Sequence, residues 1–415
     1  MKLTYRPEID GLRAIAVGAV IIYHAQITFL GHQIFKGGFI GVDIFFVISG
    51  YVIMKSLLAE YNSTSTISVR NFMTRRVRRL LPASSAVVVF TLIASLFIFS
   101  PFFEHRQIGL SSLSSTFFSA NLYFILQNSY SALINNPFRH MWSLGVEAQL
   151  YLGILTLVIA SVFICKNSVE SRRLESQSFF TFILVISVLA SFILSLISSY
   201  DFSIIPIAKN FAFFGSPTRA WEFLLGSLLA LRQTNLMKLS NRSAAQLRVT
   251  GWLGIFIGIL VAKPTSIFPG WIALLPVLGT IAIIASGTVS GSSLRIFNSQ
   301  IPQHLGDISY SWYVVHFPVI MFSQILFPDN SITARFLWLG LSYFLGLAMF
   351  LGVEKPMRRL TLETKKRQLK FGLTTIGISF SALLLIGAGS ATLRSSWIKP
   401  FYSGLRDEVS LLGEC

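Results

Sequence analysis

The sequence predicts an all-α fold: a polytopic membrane bundle of about eleven transmembrane helices, with the N-terminus cytoplasmic and the C-terminus outside, or periplasmic. Hydrophobic residues make up 53% of the 415 residues and charged residues only 12%. Runs of about 20 apolar residues, the length that crosses a bilayer, recur along the chain. Lysine and arginine are concentrated in the short loops between these runs, as is typical of multi-pass membrane proteins.

The predicted spans are the runs of sustained apolarity with few charges. In chain order they are residues 11–30, 37–59, 80–101, 143–165, 178–198, 210–231, 249–262, 272–287, 305–326, 333–352 and 371–391. A further apolar run, 107–126, is rich in serine. If it crossed the bilayer, every later loop would change sides and the excess of basic residues on the inner side would collapse. We therefore predict a re-entrant or interfacial segment on the outer side, covered by protein or water.

These spans divide the chain into a transmembrane domain of ten helices at 1–370, an additional transmembrane helix at 371–391 and an exterior tail or linker at 392–415. The formal charge of +17 does not indicate nucleic-acid binding, because the basic residues form no stripe of their own. The only cysteines are Cys165 and Cys415, so no disulfide framework is predicted.

The first span, "DGLRAIAVGAVIIYHAQITFL", carries Arg13 near its start and His24 in its interior. The two are eleven residues apart, almost three whole turns, so both side chains lie on one face, roughly 16 Å apart along the helix axis. Two such polar side chains on one face are not expected of a helix that faces only lipid. No metal site is predicted, and the other histidines lack the clustered spacing of metal ligands: His32, His105, His140 and His304.

Two carboxylates are predicted at the depth of His24. Asp43 lies near the outer start of its span and Glu147 near the outer start of another, so all three groups are expected roughly 6–9 Å below the outer face. An ionised group at a helix centre costs about 2.5–3.5 kcal/mol, so these groups must face one another or a wet cavity. We predict that His24 is a general base oriented by Asp43 or Glu147.

Structural explanations stay open for these residues. An intramembrane histidine such as His24 is often a polar residue hydrogen-bonded between helices. The structural alternative for Asp43 and Glu147 is a role as counter-ions of Arg219 or Arg13.

The inner end of the bundle carries a basic cluster in "RRVRR", residues 75–79. Guanidinium groups bind phosphate through two parallel hydrogen bonds, so this cluster is suited to a phosphorylated ligand. The alternative is a stop-transfer anchor, the usual role of arginines at the end of a span. Trp142, at a helix mouth, is by the same reasoning ordinarily an interface anchor.

Several local patterns, in order along residues 5 to 360, resemble the membrane acyltransferase 3 family. They are "YRPEIDGLRAIAVGAVIIYH" with Arg13 and His24, "GGFIGVDIFFVISGY" with Asp43 and Ser49, "RRVRRLLP" at 75–82, "MWSLGVEAQLY" with Trp142, Ser143 and Glu147, "RAWEFLLG" with Arg219 and Glu222, "ISYSWYVVHFP" with Tyr310 and His316, and "EKPMRR" with Glu354 and Pro356. One such pattern is a weak signal, whereas seven in order are a strong one.

The resemblance implies a transmembrane O-acyltransferase that moves an acetyl group from cytosolic acetyl-CoA to a hydroxyl of a cell-envelope polysaccharide of the O-antigen, peptidoglycan or exopolysaccharide class. Acetyl-CoA is then a donor substrate, and no bound cofactor is implied. The acceptor glycan is free or lipid-linked, and the location is the bacterial cytoplasmic (inner) membrane, in contact with lipid. Many members carry an exterior SGNH hydrolase-like domain, so we expect one in cis or in trans, with the tail leading towards it.

The resemblance also distributes roles among the residues. His24, with Asp43 and Glu147, forms the catalytic group. The donor-binding residues are Arg13, Arg75, Arg76, Arg78 and Arg79. The transition-state or acceptor-site residues are Arg219, Glu222, Tyr310, His316, Trp142 and Ser143.

Two other functions remain compatible with the intramembrane charges. A proton-coupled transporter or exporter of lipid-linked glycan or a small molecule would also use them, although the sequence has no internal repeat and no paired helices broken by Gly or Pro. A scaffold or receptor for an envelope-modifying enzyme would use them for folding only. A measurement of acetyl-CoA binding distinguishes these functions, because the enzyme should bind acetyl-CoA and a glycan transporter should not.

Overall fold

The computed structural model describes residues 6–30, 32–99, 104–127, 136–166, 174–200, 208–236, 239–287, 289, 299–328, 331–360, 367, 370–381 and 384. Within them nearly all regular structure is helical. The helices are α1 (Pro7–Ala25), α2 (Gly41–Thr64), α3 (Val69–Ile98), α4 (Glu104–Thr116), α5 (Ala120–Ile125), α6 (Trp142–Lys166), α7 (Leu174–Ser199), α8 (Ala208–Phe214), α9 (Ser216–Leu231), α10 (Gln233–Leu236), α11 (Asn241–Val261), α12 (Leu274–Ser286), α13 (Gln300–Leu326), α14 (Ile332–Met349) and α15 (Lys355–Arg359). A π-helical turn, Phe350–Glu354, joins α14 to α15.

Six helical segments among the described residues are long and apolar enough to cross a membrane. They are Gly38–Thr64, Val69–Ile98, Arg139–Ile164, Ser178–Ser199, Asn241–Val261 and Ile332–Arg359, and Leu274–Ser286 is a shorter apolar helix. The protein is therefore a helical, multi-pass membrane protein. Residues 371–381 of the predicted last span are helical, whereas 382–383, 385–391 and the predicted tail 392–415 lie outside the described residues.

Helix α1 begins with Pro7, where the missing N–H costs no hydrogen bond, and carries Glu8 and Asp10 in its first turn. It ends at Ala25, five residues earlier than the predicted span, because Gln26 adopts the left-handed region with φ of 51°. The apolar run continues beyond it as a two-stranded hairpin, in which β1 (Thr28–Phe29) pairs antiparallel with β2 (His32–Gln33). Hydropathy alone does not distinguish the two conformations. His24 consequently lies in the last turn of α1.

The serine-rich run 107–126 forms two short helices, α4 and α5. Neither has the ~20 residues that a membrane span needs. The serine and threonine hydroxyls turn back to the helix itself: Ser115 Oγ donates to the Ser111 carbonyl at 2.7 Å and Thr116 Oγ1 to the Ser112 carbonyl at 2.9 Å. These hydroxyls therefore need no water to be satisfied.

Three helix pairs position the site. Helix α9 packs along α2, and α1 packs against both α2 and α13. The α2–α9 approach depends on glycine, because a Cβ on Gly50 would overlap the Phe223 carbonyl and a Cβ on Gly226 would overlap the Val47 carbonyl. Small residues allow this backbone contact between membrane helices. The acidic start of α2 is thereby held against the start of α9.

Candidate functional site

The imidazole of His24 contacts a second histidine. His24 Nδ1 lies 3.0 Å from His316 Nε2, and His316 Nδ1 lies 2.5 Å from the Tyr313 carbonyl oxygen. A carbonyl oxygen only accepts, so the network assigns the proton of His316 to Nδ1 and leaves its Nε2 as the acceptor. His24 Nδ1–H is then the donor, and the lone pair of His24 lies on Nε2. A neutral imidazole in this tautomer can act as a general base through Nε2.

His24 lines a cavity of about 510 Å³, here called the His24 cavity. Its remaining lining is largely aromatic, with a few polar groups, and consists of Val20, Tyr23, Phe39, Val42, Arg139, His140, Trp142, Asn210, Phe213, Phe214, Lys263, Pro264, Ser266, Phe268 and Tyr313. The volume lies within the ~300–1,000 Å³ of small-molecule sites. A substrate in this cavity has direct access to the histidine.

A second, narrower cavity of about 50 Å³ lies beside it and is here called the Arg13 cavity. Its lining is Arg13, Val42, Phe45, Phe46, Ser49, Arg79, Leu80, Ser143, Leu144, Glu147, Tyr151, Ser309, Tyr310 and Tyr313. The two cavities share Val42 and Tyr313. Arg13 and His24, on one face of α1, therefore each line one of two adjoining cavities.

Glu147 lies in the Arg13 cavity and not beside His24. Its Oε1 accepts hydrogen bonds from the Ser49 and Tyr151 hydroxyls. The sequence-based pairing of His24 with Asp43 or Glu147 was wrong as a contact, since the partner of the imidazole is His316. The sequence predicted that His24, Asp43 and Glu147 lie at the same depth. Which of these side chains contact each other depends also on the rotation of each helix about its axis.

Asp43 belongs to a fully buried charged cluster with Arg219 and Glu222. Arg219 Nη2 lies 3.0 Å from Asp43 Oδ1, and Arg219 Nη1 lies 3.2 Å from Glu222 Oε1. The guanidinium also lies 5.3–6.0 Å from four ring centroids, those of Phe46, Trp142, Phe213 and Phe268. None of the three charged residues lines either cavity. The structure thus places Asp43 as a counter-ion of Arg219, behind the aromatic wall of the His24 cavity.

The four arginines of the basic cluster at residues 75–79, all in α3, lie in different environments. Arg75 pairs with Glu60 at 2.7 Å, and Arg78 donates to the Leu360 carbonyl. Arg76 lies over the rings of Phe72 and Tyr151. Arg79 lines the Arg13 cavity.

Three further predicted site residues lie along the cavities. Trp142 lines the His24 cavity, whereas Ser143 and Tyr310 line the Arg13 cavity. Tyr310 donates to the Leu80 carbonyl at 2.6 Å. Ser143 Oγ and the Tyr313 hydroxyl lie 2.6 Å apart, at the boundary between the two cavities.

Sequence reasoning missed His140 and Tyr313. His140 was set aside for lacking metal-ligand spacing, yet its ring stacks on Phe317 at 5.1 Å and lies 5.7 Å from that of His316. Tyr313 precedes His316 by three residues, so helical periodicity would have placed both on one face. Among the described residues, no group of three metal-binding side chains is arranged to hold an ion.

The end of α1 that carries His24 is held by a buried arginine of α14. Arg335 Nη1 donates to the Ala25 carbonyl at 2.9 Å and to the Gln26 carbonyl at 2.6 Å. Carbonyls at a helix C-terminus lack partners within the helix, so this contact satisfies them. Arg335 therefore positions the last turn of α1.

Replacing Arg335 by Met should lower stability by about 1–3 kcal/mol, the cost of leaving buried acceptors unpaired. Thermal unfolding in detergent measures this. Arg335→Lys, which still donates, should recover a large part of the loss. Equal stabilities of the Met variant and the unchanged protein would contradict the capping role.

The fold and the two cavities define a multi-pass helical membrane protein with two adjoining cavities, one lined by Arg13 and the other by His24. The chain belongs to the acyltransferase 3 family, whose model, described as "Acyltransferase domain", matches residues 6–353.

Curated relatives agree with the family. The chain is 30% identical over 374 residues to a peptidoglycan O-acetyltransferase of Listeria monocytogenes, covering 86% of this chain and 56% of that protein. It is 30% identical over 373 residues to a putative O-acetyltransferase of Staphylococcus aureus, with coverages of 86% and 58%. It is 31% identical over 371 residues to a putative peptidoglycan O-acetyltransferase of Bacillus subtilis, with coverages of 85% and 55%. The chain thus spans little more than half the length of these relatives. No solved structure matches it.

Proposed function

We propose that this chain transfers an acetyl group from acetyl-CoA to a hydroxyl of a cell-envelope glycan. One observation carries the proposal: the Arg13 cavity and the His24 cavity adjoin at Val42 and Tyr313, so a donor entering from one and an acceptor entering from the other would meet there. The family and the names of the relatives support the reaction class. In this proposal the protein lies in a bacterial cytoplasmic membrane, and the Arg13 cavity opens towards the cytosol.

In the proposed reaction, His24 Nε2 takes the proton from the acceptor hydroxyl as its oxygen attacks the thioester carbonyl. The hydrogen bond to His316 holds the tautomer in which Nε2 carries the lone pair. The thioester C–S bond then breaks, and the leaving coenzyme thiolate receives the proton that His24 Nε2 took from the acceptor hydroxyl, which restores the neutral imidazole. The Ser143 and Tyr313 hydroxyls lie 2.6 Å apart at the junction, and both also have the His140 carbonyl as an acceptor, at 3.3 and 3.0 Å. In the proposed reaction one of them turns from that carbonyl to donate to the oxyanion that forms on the way.

The donor would be held by the cations of the Arg13 cavity. Arg13 and Arg79 both line it, and the phosphates of coenzyme A need such partners at the edge of the bilayer. The cavity of about 50 Å³ is too narrow for a pantetheine arm. Donor entry therefore requires its lining side chains to separate.

Arg79→Gln should raise the Kd for acetyl-CoA about 10- to 100-fold, because a charge-assisted hydrogen bond to phosphate is lost. Arg75→Gln is the matched control. Its side chain pairs with Glu60 outside the cavity, so its effect should be much smaller. Titration of purified protein with acetyl-CoA measures both. Similar affinities for the Arg79 and Arg75 variants would contradict the assignment.

The proposed reaction is tested with membranes that contain the protein and acetyl-CoA labelled in the acetyl group. Label should appear on envelope polysaccharide, and mass spectrometry of the host glycans with and without the protein should identify the acylated unit. Absence of labelled glycan, with no acetyl-CoA binding by the purified protein, would favour the transporter alternative instead.

A further inference from the structure

The charged side chains that line the His24 cavity are all basic. Arg139 and Lys263 line it, and its lining among the described residues includes no aspartate or glutamate. In the predicted topology both residues lie on the outer side, where basic residues are least expected. Membrane orientation therefore does not explain them.

Arg139 is close to the proposed base. Its guanidinium lies 5.5 Å from the ring centroid of Phe317, and that ring lies 4.8 Å from the ring of His24. Arg139 and His24 thus flank a single phenyl ring. Lys263 is exposed, as expected of a group at the mouth of the cavity.

Aromatic rings form much of the rest of the lining. The Trp142 and Phe213 rings lie 4.8 Å apart, and the Phe39 and Phe268 rings also lie 4.8 Å apart. Ring faces carry negative charge density and attract polarised C–H groups, which the faces of a pyranose present. Asn210 adds an amide to the same lining. This combination suits a sugar with a negatively charged substituent.

We propose that the His24 cavity selects an anionic acceptor, a pyranose with an oxyanion group near the hydroxyl to be acylated, and that Arg139 and Lys263 bind that group. This inference rests on the proposed function, because it names the acceptor class of the same site. A guanidinium binds carboxylate and phosphate through the same paired hydrogen bonds. The oxyanion is either a carboxylate of the sugar or the diphosphate of a lipid carrier.

The test measures binding, not turnover. The protein is placed in nanodiscs of neutral phosphatidylcholine, so that lipid headgroups do not compete for the cations. Three probes are titrated calorimetrically: a glucuronate-containing oligosaccharide, its carboxyl-reduced counterpart, and the reduced sugar linked to a polyprenyl diphosphate. At least one anionic probe should bind tenfold or more tightly than the neutral sugar, and the tighter of the two identifies the source of the charge.

Arg139→Gln and Lys263→Gln should each reduce that preference, and the effect of Arg139 should be the larger because it is less exposed. Lys36→Gln is the control, because Lys36 is exposed but does not line the cavity. If the Arg139 variant fails to fold, the Lys263→Gln variant by itself tests the anion preference. Equal binding of neutral and anionic probes, or a preference that survives in the folded Arg139 and Lys263 variants, would overturn the proposal. Anion preference without any acetyl transfer would instead overturn the proposed function and leave the anion site standing.

Discussion

Replacing His24 by Ala should lower the rate of acetyl transfer by about 10³-fold, within the ~10²–10⁴-fold range of a positioned general base. In the proposed reaction no other group is assigned to take the proton from the acceptor hydroxyl. The binding of acetyl-CoA should change little, because the donor cations line the other cavity. Single-turnover transfer of labelled acetyl measures the first quantity and titration with acetyl-CoA the second.

His32→Ala is the matched control, since His32 is exposed on the hairpin and lines neither cavity. It should transfer acetyl at the unchanged rate. A folded His24→Ala protein with full transfer would defeat the mechanism.

The histidine pair allows a sharper test of the tautomer. His316→Leu removes the acceptor of the His24 Nδ1–H, so the imidazole is free to take the other tautomer. His316→Gln can still accept through its side-chain oxygen. We expect the Gln variant to retain more activity than the Leu variant, and at saturating substrate the loss should lie in kcat. Equal losses would indicate that His316 acts only through packing.

Replacing Arg219 by Met should destabilise the protein by about 3–5 kcal/mol, since it leaves two buried carboxyl groups without their cation. Asp43 and Glu222 are both fully buried and both contact the guanidinium. Thermal unfolding in detergent and the yield of monodisperse protein measure the effect.

Two further variants make this second prediction specific. Arg358→Met is the control: its 3.4 Å pair with Glu354 involves a side chain that is 45% exposed, and such a pair contributes at most about 1 kcal/mol. The triple variant Asp43→Asn, Arg219→Met, Glu222→Gln removes all three charges and should recover most of the stability. It should also retain transfer, because none of the three residues lines a cavity. An inactive but well-folded triple variant would restore a direct role for Arg219 in the chemistry.

Much of the fold followed from the sequence. Within the described residues the predicted spans overlap helices, six of them long and apolar enough to cross a membrane, because an apolar run in lipid must satisfy its backbone hydrogen bonds internally. Their ends were less predictable. The run 11–30 ends as a hairpin after Ala25, and 210–231 is divided between α8 and α9 at Gly215. A helix, a tight turn and a buried strand can have the same hydropathy.

The roles of the candidate site residues stay predictions, whereas their locations and contacts are given by the structure. Arg13, Glu147, Trp142 and His24 line cavities as expected of polar or amphipathic groups inside a bundle. Asp43 was expected to face His24 and instead contacts Arg219. Residue spacing fixes depth along one helix, but it does not fix the rotation of that helix against a neighbour.

The sequence by itself determined that this is a helical membrane protein, that Arg13 and His24 share one face of the first helix, and that charged residues lie at depths where lipid cannot solvate them. Only the tertiary structure decided that His24 pairs with His316, that Arg219 holds Asp43 and Glu222, and that Arg79, alone among the four arginines at residues 75–79, lines one of the two cavities. The physical reason is that burial in lipid acts on each helix separately, whereas the pairing of polar groups depends on close packing between helices distant in sequence.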